Sequence, residues 1–197
     1  MARNMARNTV QKGARSGARN SVRIIGGAWR SRVVRFPEAS GLRPSPDRVR
    51  ETLFNWLGQD LTGLACLDLF AGSGALGFEA ASRGASAVVM VEAARDAAEA
   101  LRANAGLLGA ESWRLVAGDA LEFLRAYRGA PFDVVFVDPP FASDLAGRVL
   151  PLLPGMLAAD AKVYVESGKA LDVPQGWRLL KQGKAGVVHY HLLGVSK

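Results

Sequence analysis

From residue 64 onward the apolar positions fall into short runs separated by amphipathic stretches. "LACLDLF" (64–70), "SAVVMVE" (86–92), "WRLVAG" (113–118), "FDVVFVD" (132–138) and "AKVYVES" (161–167) have the length and β-branched content of strands. Between them, "ALGFEAASR" (75–83), "RDAAEALRANAGLL" (95–108) and "ALEFLRAY" (120–127) carry helical spacing. An apolar helix around "LAGRVLPLLPGML" (145–157) is broken by its own prolines. Two last strands, "WRLLKQGK" and "VVHYHLL", joined by a short Ala-Gly link, predict an antiparallel hairpin on the sheet edge. Strands alternating with helices predict an α/β fold. Its mostly parallel seven-stranded sheet has helices on both faces.

The first quarter of the chain reads differently. Residues 1–21 repeat the tetrapeptide MARN, lack apolar periodicity and predict a disordered basic tail. "VRIIGGAWRSRVVRF" (22–36) predicts an N-terminal β-hairpin around Gly26-Gly27, with Trp29 as a stacking surface. "SPDRVRETLFNWLG" (45–58) predicts a helix with Ser45 as N-cap, Pro46 in its first position and Gly58 at its end. Val49, Leu53, Trp56 and Leu57 form its apolar stripe; Arg48, Thr52 and Asn55 line another face. The organisation predicted is thus a tail (1–21), a nucleic-acid-binding hairpin with a covering helix (22–58), and a main domain (59–197).

Charge sharpens that division. Residues 1–50 hold 12 Lys/Arg against Glu38 and Asp47, while residues 51–197 hold 13 Lys/Arg against 16 acids. A positive segment on a mildly acidic body suits a polyanion partner, because neutralised phosphates release counterions; a solubilising tail is the plainer reading of residues 1–20. No run reaches the roughly 18 apolar residues of a membrane span, and no secretory core opens the chain. One cysteine, Cys66, excludes an intrachain disulfide and suits a reducing cytoplasm. Only His189 and His191 are histidines, so no metal is expected, and they read as surface or edge packing.

The chemistry gathers at the predicted strand ends. "DLFAGSGALGFEA" sets Gly72, Gly74 and Gly77 as G-x-G-x-x-G between strand and helix, where a backbone approaches a ligand closely. That pattern serves dinucleotide enzymes and S-adenosylmethionine enzymes alike. Asp68 ahead of it can accept from a ligand ammonium or from loop amides, whereas a pyrophosphate would be repelled. Glu92, ending the second strand, suits a pair of ribose hydroxyls. Asp119 suits an adenine amino group or, more simply, the N-cap of the following helix.

The fourth strand ends in "VDPPF". Prolines 139 and 140 fix their own φ and restrict the residue before each. The Asp138 carboxylate and the Pro139 carbonyl then form two preset acceptors for the two hydrogens of an NH2 group. Phe141 offers a stacking face worth roughly 1–3 kcal/mol per base. Accepting both hydrogens pyramidalises an aromatic amine and aims its lone pair at an activated methyl carbon.

"DLFAGSGALGFEA", "VVFVDPPF" and "RIIGGAWRSR...GLRPSPDRVRETLFNWL" together resemble the bacterial 16S rRNA (guanine(966)-N(2))-methyltransferase family, from about Val22 to the C-terminus. The resemblance implies a Rossmann-like class I methyltransferase fold, S-adenosylmethionine as cofactor, and 16S rRNA or an assembling small ribosomal subunit as partner. A cytoplasmic protein, as the single cysteine suggests, and a monomer are expected. The resemblance makes Asp138, Pro139, Pro140 and Phe141 the catalytic tip. The cofactor site would comprise Asp68, Phe70, Gly72, Ser73, Gly74, Gly77, Glu92, Asp119, Ala120 and Thr52. Arg23, Arg30, Arg32, Arg43, Ser45 and Arg48 would hold RNA. The family commonly has threonine where this chain has Ser45, so the hydroxyl is kept. Three other readings compete: methylation of another amine (adenine N6 in DNA, a protein glutamine), a nicotinamide oxidoreductase, and a non-catalytic RNA-binding module.

Overall fold

The computed structural model describes residues 19–37, 45–140 and 143–196. Most of the basic tail, Arg43 and Phe141 lie outside the described residues. Strand β1 (Arg19–Arg23) pairs antiparallel with β2 (Val33–Pro37), placing Arg19 opposite Pro37 and Val22 opposite Val34. Arg19, Asn20 and Ser21 are therefore strand, not tail. Their ladder partners Pro37, Phe36 and Arg35 order them, although their composition is that of the residues before. The connection runs over residues 24–32, and Gly27 in it has φ 73°. A Cβ on Gly27 would stand 1.9 Å from the Ser82 carbonyl oxygen, so only glycine lets this turn seat on the main domain.

Seven strands form the central sheet: β3 (Ala65–Asp68), β4 (Ala87–Glu92), β5 (Trp113–Ala117), β6 (Phe132–Val137), β7 (Leu157–Ser167), β8 (Trp177–Ala185) and β9 (Val188–Val195). Their order is β5-β4-β3-β6-β7-β9-β8. The first four neighbouring pairs are parallel, and the pairs made by β9 are antiparallel. The expected sheet and its edge hairpin are both present. Alternate residues of the parallel strands feed two cores. Cys66, Val88, Met90, Val134 and Phe136 face one side, and Leu67, Val89, Val91, Val135 and Val137 the other. Burial pushes the Cys66 thiol up to about 12, which makes it a packing residue and not a nucleophile.

The helices are α1 (Asp47–Leu57), α2 (Ala75–Ser82), α3 (Arg95–Leu108), α4 (Ala120–Ala126) and α5 (Leu145–Val149). Helix α5 is shorter than its apolar pattern predicts. Pro151 and Pro154 lack the N–H a continuing helix needs, and two 3-10 turns, Leu150–Leu152 and Pro154–Met156, take over. Strand β7 then starts at Leu157, earlier than predicted, with an irregularity between the Phe132–Leu157 and Val134–Lys162 pairings.

The hairpin and α1 are not a separate globule. Val22, Ile24, Val34 and Phe36 join Val49, Leu53, Phe54 and Leu57 in the same core as α2, α3 and one sheet face. Asn104 of α3 clasps β2 through both amide atoms: Oδ1 accepts from Arg35 N and Nδ2 donates to Arg35 O. Trp56 is only half-buried, against Tyr190 at 5.4 Å between ring centroids, and Phe54 takes the deeper place.

Candidate active site

Strand order reverses at β3. From it the chain builds outward through β4 and β5 on one side, then returns to β6 on the other. Open α/β sheets bind ligands in the crevice such a reversal leaves at the carboxyl ends of the strands. Asp68 closes β3 and Asp138 follows β6, so the two acids flank this crevice. Glu92 closes β4 and Asp119 follows β5 on the same edge.

The glycine loop has the shape its spacing predicts. Gly72 and Gly74 have φ 50° and 78°, and Gly74 leads directly into α2. A Cβ on Gly77 would meet the Met90 side chain at 2.4 Å, which shows why α2 packs so closely on β4. Asp68 braces the loop, its Oδ2 accepting from Gly77 N at 3.0 Å. Its Oδ1 is buried and has no hydrogen-bond partner among the described residues. Burial pushes this carboxyl up to about 7; backbone amides pull it back only in part, and the nearby Glu92 carboxylate adds to the rise. An unpaired buried carboxylate oxygen beside a glycine loop is a ready acceptor for a ligand cation.

Glu92 supports the same loop. Its Oε2 accepts from Gly72 N at 2.8 Å and its Oε1 from Ala94 N at 2.7 Å. Each oxygen keeps a second lone pair for a ligand hydroxyl. Asp119 is a helix N-cap, as the simpler reading has it: Oδ1 accepts from Leu121 N and Glu122 N. Ala120 is buried beneath it, Ser73 is buried in the loop, and Phe70 is half-buried at its base. Thr52 stands apart from these groups in bonding terms, its hydroxyl donating to the Arg48 carbonyl within α1.

Ser45 does not cap α1. Pro46 holds the N-cap position and no side chain caps the helix. The Ser45 hydroxyl is buried instead, donating to Glu166 Oε1 and lying 3.3 Å from Asp138 Oδ2. The bond partners are long-range, which a local S-P-D pattern does not reveal. Glu166, at the end of β7, also accepts from the Tyr164 hydroxyl at 2.8 Å. Sequence reasoning missed it; a fifth acid at a fifth strand tip ("VYVES") was the available signal. Burial, then the Glu166 and Asp68 charges, hold the Asp138 carboxyl well above the usual range, against the Ser45 hydrogen bond. Burial likewise raises Glu166, against its bonds from Ser45 and Tyr164.

After Asp138, Pro139 is buried and Pro140 exposed. The Pro140 carbonyl accepts from the Ser143 amide and hydroxyl, closing a tight turn. The Pro139 carbonyl accepts no bond among the described residues. Phe141 lies outside them, so its stacking role rests on sequence.

The arginines separate into two kinds. Arg23, Arg30 and Arg48 are exposed, and Arg23 lies with Ser21, Ser45, Pro46 and Asp47 along a cavity of about 310 Å³ between hairpin and α1. Arg32 is exposed but already donates to the Leu107 carbonyl at the end of α3. Arg50, which no local pattern singles out, is fully buried. It bonds Asp47 and the Arg23 carbonyl, and pairs with Glu79 Oε2 at 3.4 Å. Arg83 pairs with Glu79 Oε1 at 2.8 Å and lies 4.6 Å over the Phe54 ring. Among the described residues no group of three or more His, Cys, Asp or Glu could hold a metal ion, and no helix could cross a membrane.

Comparison with known proteins agrees with this geometry. The family model described as Conserved hypothetical protein 95 matches residues 22–194. Two curated relatives named ribosomal RNA small subunit methyltransferase D cover nearly the whole match. The Escherichia coli K12 protein is 46% identical over 87% of this chain and 88% of its own length. That of Haemophilus influenzae is 43% identical over 88% and 94%. The solved yhhF structure from Escherichia coli superposes with a TM-score of 0.79 at 45% identity, covering 89% of this chain and 98% of its own. A structure of a hypothetical protein from Thermus thermophilus does so at 0.75 and 34% identity, over 88% and 99%. With the match running from β1 to the end of β9, the chain belongs to the Conserved hypothetical protein 95 family, in the company of the enzymes named ribosomal RNA small subunit methyltransferase D.

Proposed function

We propose that this protein methylates the exocyclic N2 amine of a guanine in small-subunit rRNA, with S-adenosylmethionine as donor. The observation that carries this reading is the pair of acids at the sheet's reversal point. Asp138, ahead of two prolines, lies beside the buried Asp68, whose Oδ1 has no partner among the described residues. The residues present fit the donor: Asp68 Oδ1 answers an ammonium, Glu92 a ribose diol, and the exposed Asp119 an amino group. When bound, S-adenosylmethionine supplies a methyl carbon already activated by its sulfonium.

What remains for the chain is alignment and charge. The Asp138 carboxylate and the Pro139 carbonyl accept the two amine hydrogens, leaving the nitrogen lone pair directed into the crevice. Pro139 and Pro140 hold both acceptors without a reorganisation step. Phe141 stacks on the base. The amine of a paired guanine faces a groove, so the nucleotide must be splayed or flipped to arrive. Arg23, Arg30 and Arg48 hold phosphates and set register rather than read sequence. Acting on rRNA places the protein in the cytoplasm.

The relatives' names support rRNA as substrate, and the basic hairpin favours nucleic acid over a protein glutamine. A nicotinamide dinucleotide would lay its pyrophosphate on the glycine loop against the Asp68 carboxylate, which repels it, while Glu92 would suit the ribose of either ligand. The test is incubation with methyl-labelled S-adenosylmethionine and unmodified small-subunit rRNA, with DNA and protein acceptors in parallel. Label on guanine N2 is expected. Label on DNA or protein instead, or tight NAD binding with no response to the methyl donor, overturns the reading.

A further inference from the structure

Glu166 has no part in the mechanism just given, yet it is 1% exposed and sits one strand from Asp138. The Ser45 hydroxyl lies between the two carboxylates, donating to Glu166 Oε1 with Asp138 Oδ2 at 3.3 Å. Tyr164 donates to the same Glu166 oxygen. A hydroxyl carries one proton. Given to Glu166, it leaves only a lone pair toward Asp138 Oδ2, an arrangement favourable only if Asp138 is protonated. The titratable groups that act on the pair are Asp68 and Tyr164, with Tyr190 acting in turn on Tyr164, and none is a cation. Among the described residues no Lys or Arg bonds either carboxylate. Ionising one acid raises the cost of ionising the other, so the pair holds on to a shared proton more firmly than either acid would alone.

We propose that Glu166 is a positioning residue of the reaction: it exchanges one proton with Asp138 across the rotatable Ser45 hydroxyl, and Asp138 grips the amine when that proton rests on Glu166. In that state Glu166 no longer needs the Ser45 proton, and the hydroxyl turns to donate to an ionised Asp138. A remaining lone pair of Asp138 then takes one amine hydrogen, and the Pro139 carbonyl takes the other. During transfer the amine nitrogen forms the N–C bond, the C–S bond breaks with its electrons on sulfur, and the surplus N–H proton passes to Asp138. With Glu166 already protonated, that proton leaves from the half-buried Asp138 to solvent as product departs. This rests on the amino-methylation reading above.

Glu166→Gln keeps the shape of the protonated acid but cannot ionise. Removing the Glu166 charge should move the acid limb of the kcat–pH profile to lower pH, so that below the wild-type midpoint the variant turns over several-fold faster than wild type. Carbon-13 NMR of Asp side-chain carboxyls in the free protein should show the Asp138 midpoint moving the same way, with Asp138→Asn assigning the resonance. An unmoved limb or midpoint, whatever the turnover number, overturns the proposal. Ser45 supplies a second handle: Ser45→Ala should lower kcat about tenfold or more while Ser45→Thr keeps it. Equal turnover of Ser45→Ala and wild type also overturns it. The two readings fail separately: a fully active Asp138→Ala removes the amino-methylation mechanism itself, whereas an inactive Asp138→Ala with an unmoved Glu166→Gln profile removes only the role of Glu166.

Discussion

Two regions of this molecule bury charge, and they do so in opposite ways. Behind the hairpin, Arg50 and Glu79 are fully buried, yet nearly every polar atom is answered. Glu79 accepts from Arg50, Arg83 and the Ile25 amide; Arg50 also reaches Asp47 and the Arg23 carbonyl, with only its Nε unpartnered. At the strand tips, Asp68, Asp138 and Glu166 are brought together without a cation, and burial lifts all three carboxyls. A compensated buried charge fixes one geometry. An uncompensated one waits for a ligand or a proton. The first region is a latch and the second a site, and this difference in pairing tells them apart.

The sharpest break of that comparison is to unpair the latch. Glu79→Ala leaves the nearly buried Arg83 without its anion and the buried Arg50 with Asp47 alone, and should cost about 3–5 kcal/mol of folding free energy. Because Glu79 also holds Ile25, hydrogen exchange should rise first in residues 24–32. A loss below about 1 kcal/mol in denaturant unfolding, or unchanged exchange there, would show that the pairing is ornamental.

At the site, the same kind of truncation should spare the fold and strike the chemistry. Asp138→Ala should lower kcat about 10²–10³-fold, the usual scale for removing one preorganised group from a developing charge. S-adenosylmethionine affinity should change little, and thermal stability should hold or rise because a raised carboxyl is removed. Equal losses in stability and turnover would place Asp138 with the latch instead.

Asp68 connects pH to both quantities. Its folded value of about 7 lies above the ordinary carboxyl value of 3.8. The native state therefore binds more protons between these two, and stability falls as pH rises from about 4 through 7. Asp68→Asn should remove that dependence, gaining on wild type with rising pH by at most about 4 kcal/mol. Donor binding should run the other way. A ligand ammonium favours the ionised acid, so wild-type affinity should weaken by up to about tenfold for each pH unit below 7. Calorimetry at pH 6 and pH 7.5 would show it, and a flat affinity would remove Asp68 from the cofactor site.

The contrast also explains what could be read from the chain alone. The sheet, its order of strand and helix, the glycine loop and four of the strand-end acids are local patterns, with apolar period, turn chemistry and position all agreeing. Helix α3 matches its predicted span to the residue. What stayed hidden depends on partners far away in sequence. Ser45 looks like a cap until Glu166 and Asp138 meet it across a separation of 121 and 93 residues. Arg50 looks like a solvated arginine until Glu79 arrives from α2. Arg19–Ser21 look like tail until β2 pairs with them. Residue identity alone does not say whether a charge will find its counterion.

The smallest expected effect separates Arg23 and Arg30 from Arg32, which already bonds the end of α3. Arg23 and Arg30 are exposed and make no side-chain hydrogen bond among the described residues, whereas Arg32 donates to Leu107 O at 2.6 Å. Arg23→Gln and Arg30→Gln should each reduce the slope of log affinity for rRNA against log salt by roughly 1, with melting temperature and donor affinity unchanged. Arg32→Gln should lower the melting temperature slightly as well, because one guanidinium bond tying the hairpin to α3 is lost with the charge. If all three behave alike in melting, the Arg32 bond contributes nothing. If the first two also weaken donor binding, then phosphate grip and cofactor site are not independent, and the division between a paired scaffold and an unpaired site fails at the surface where RNA must join them.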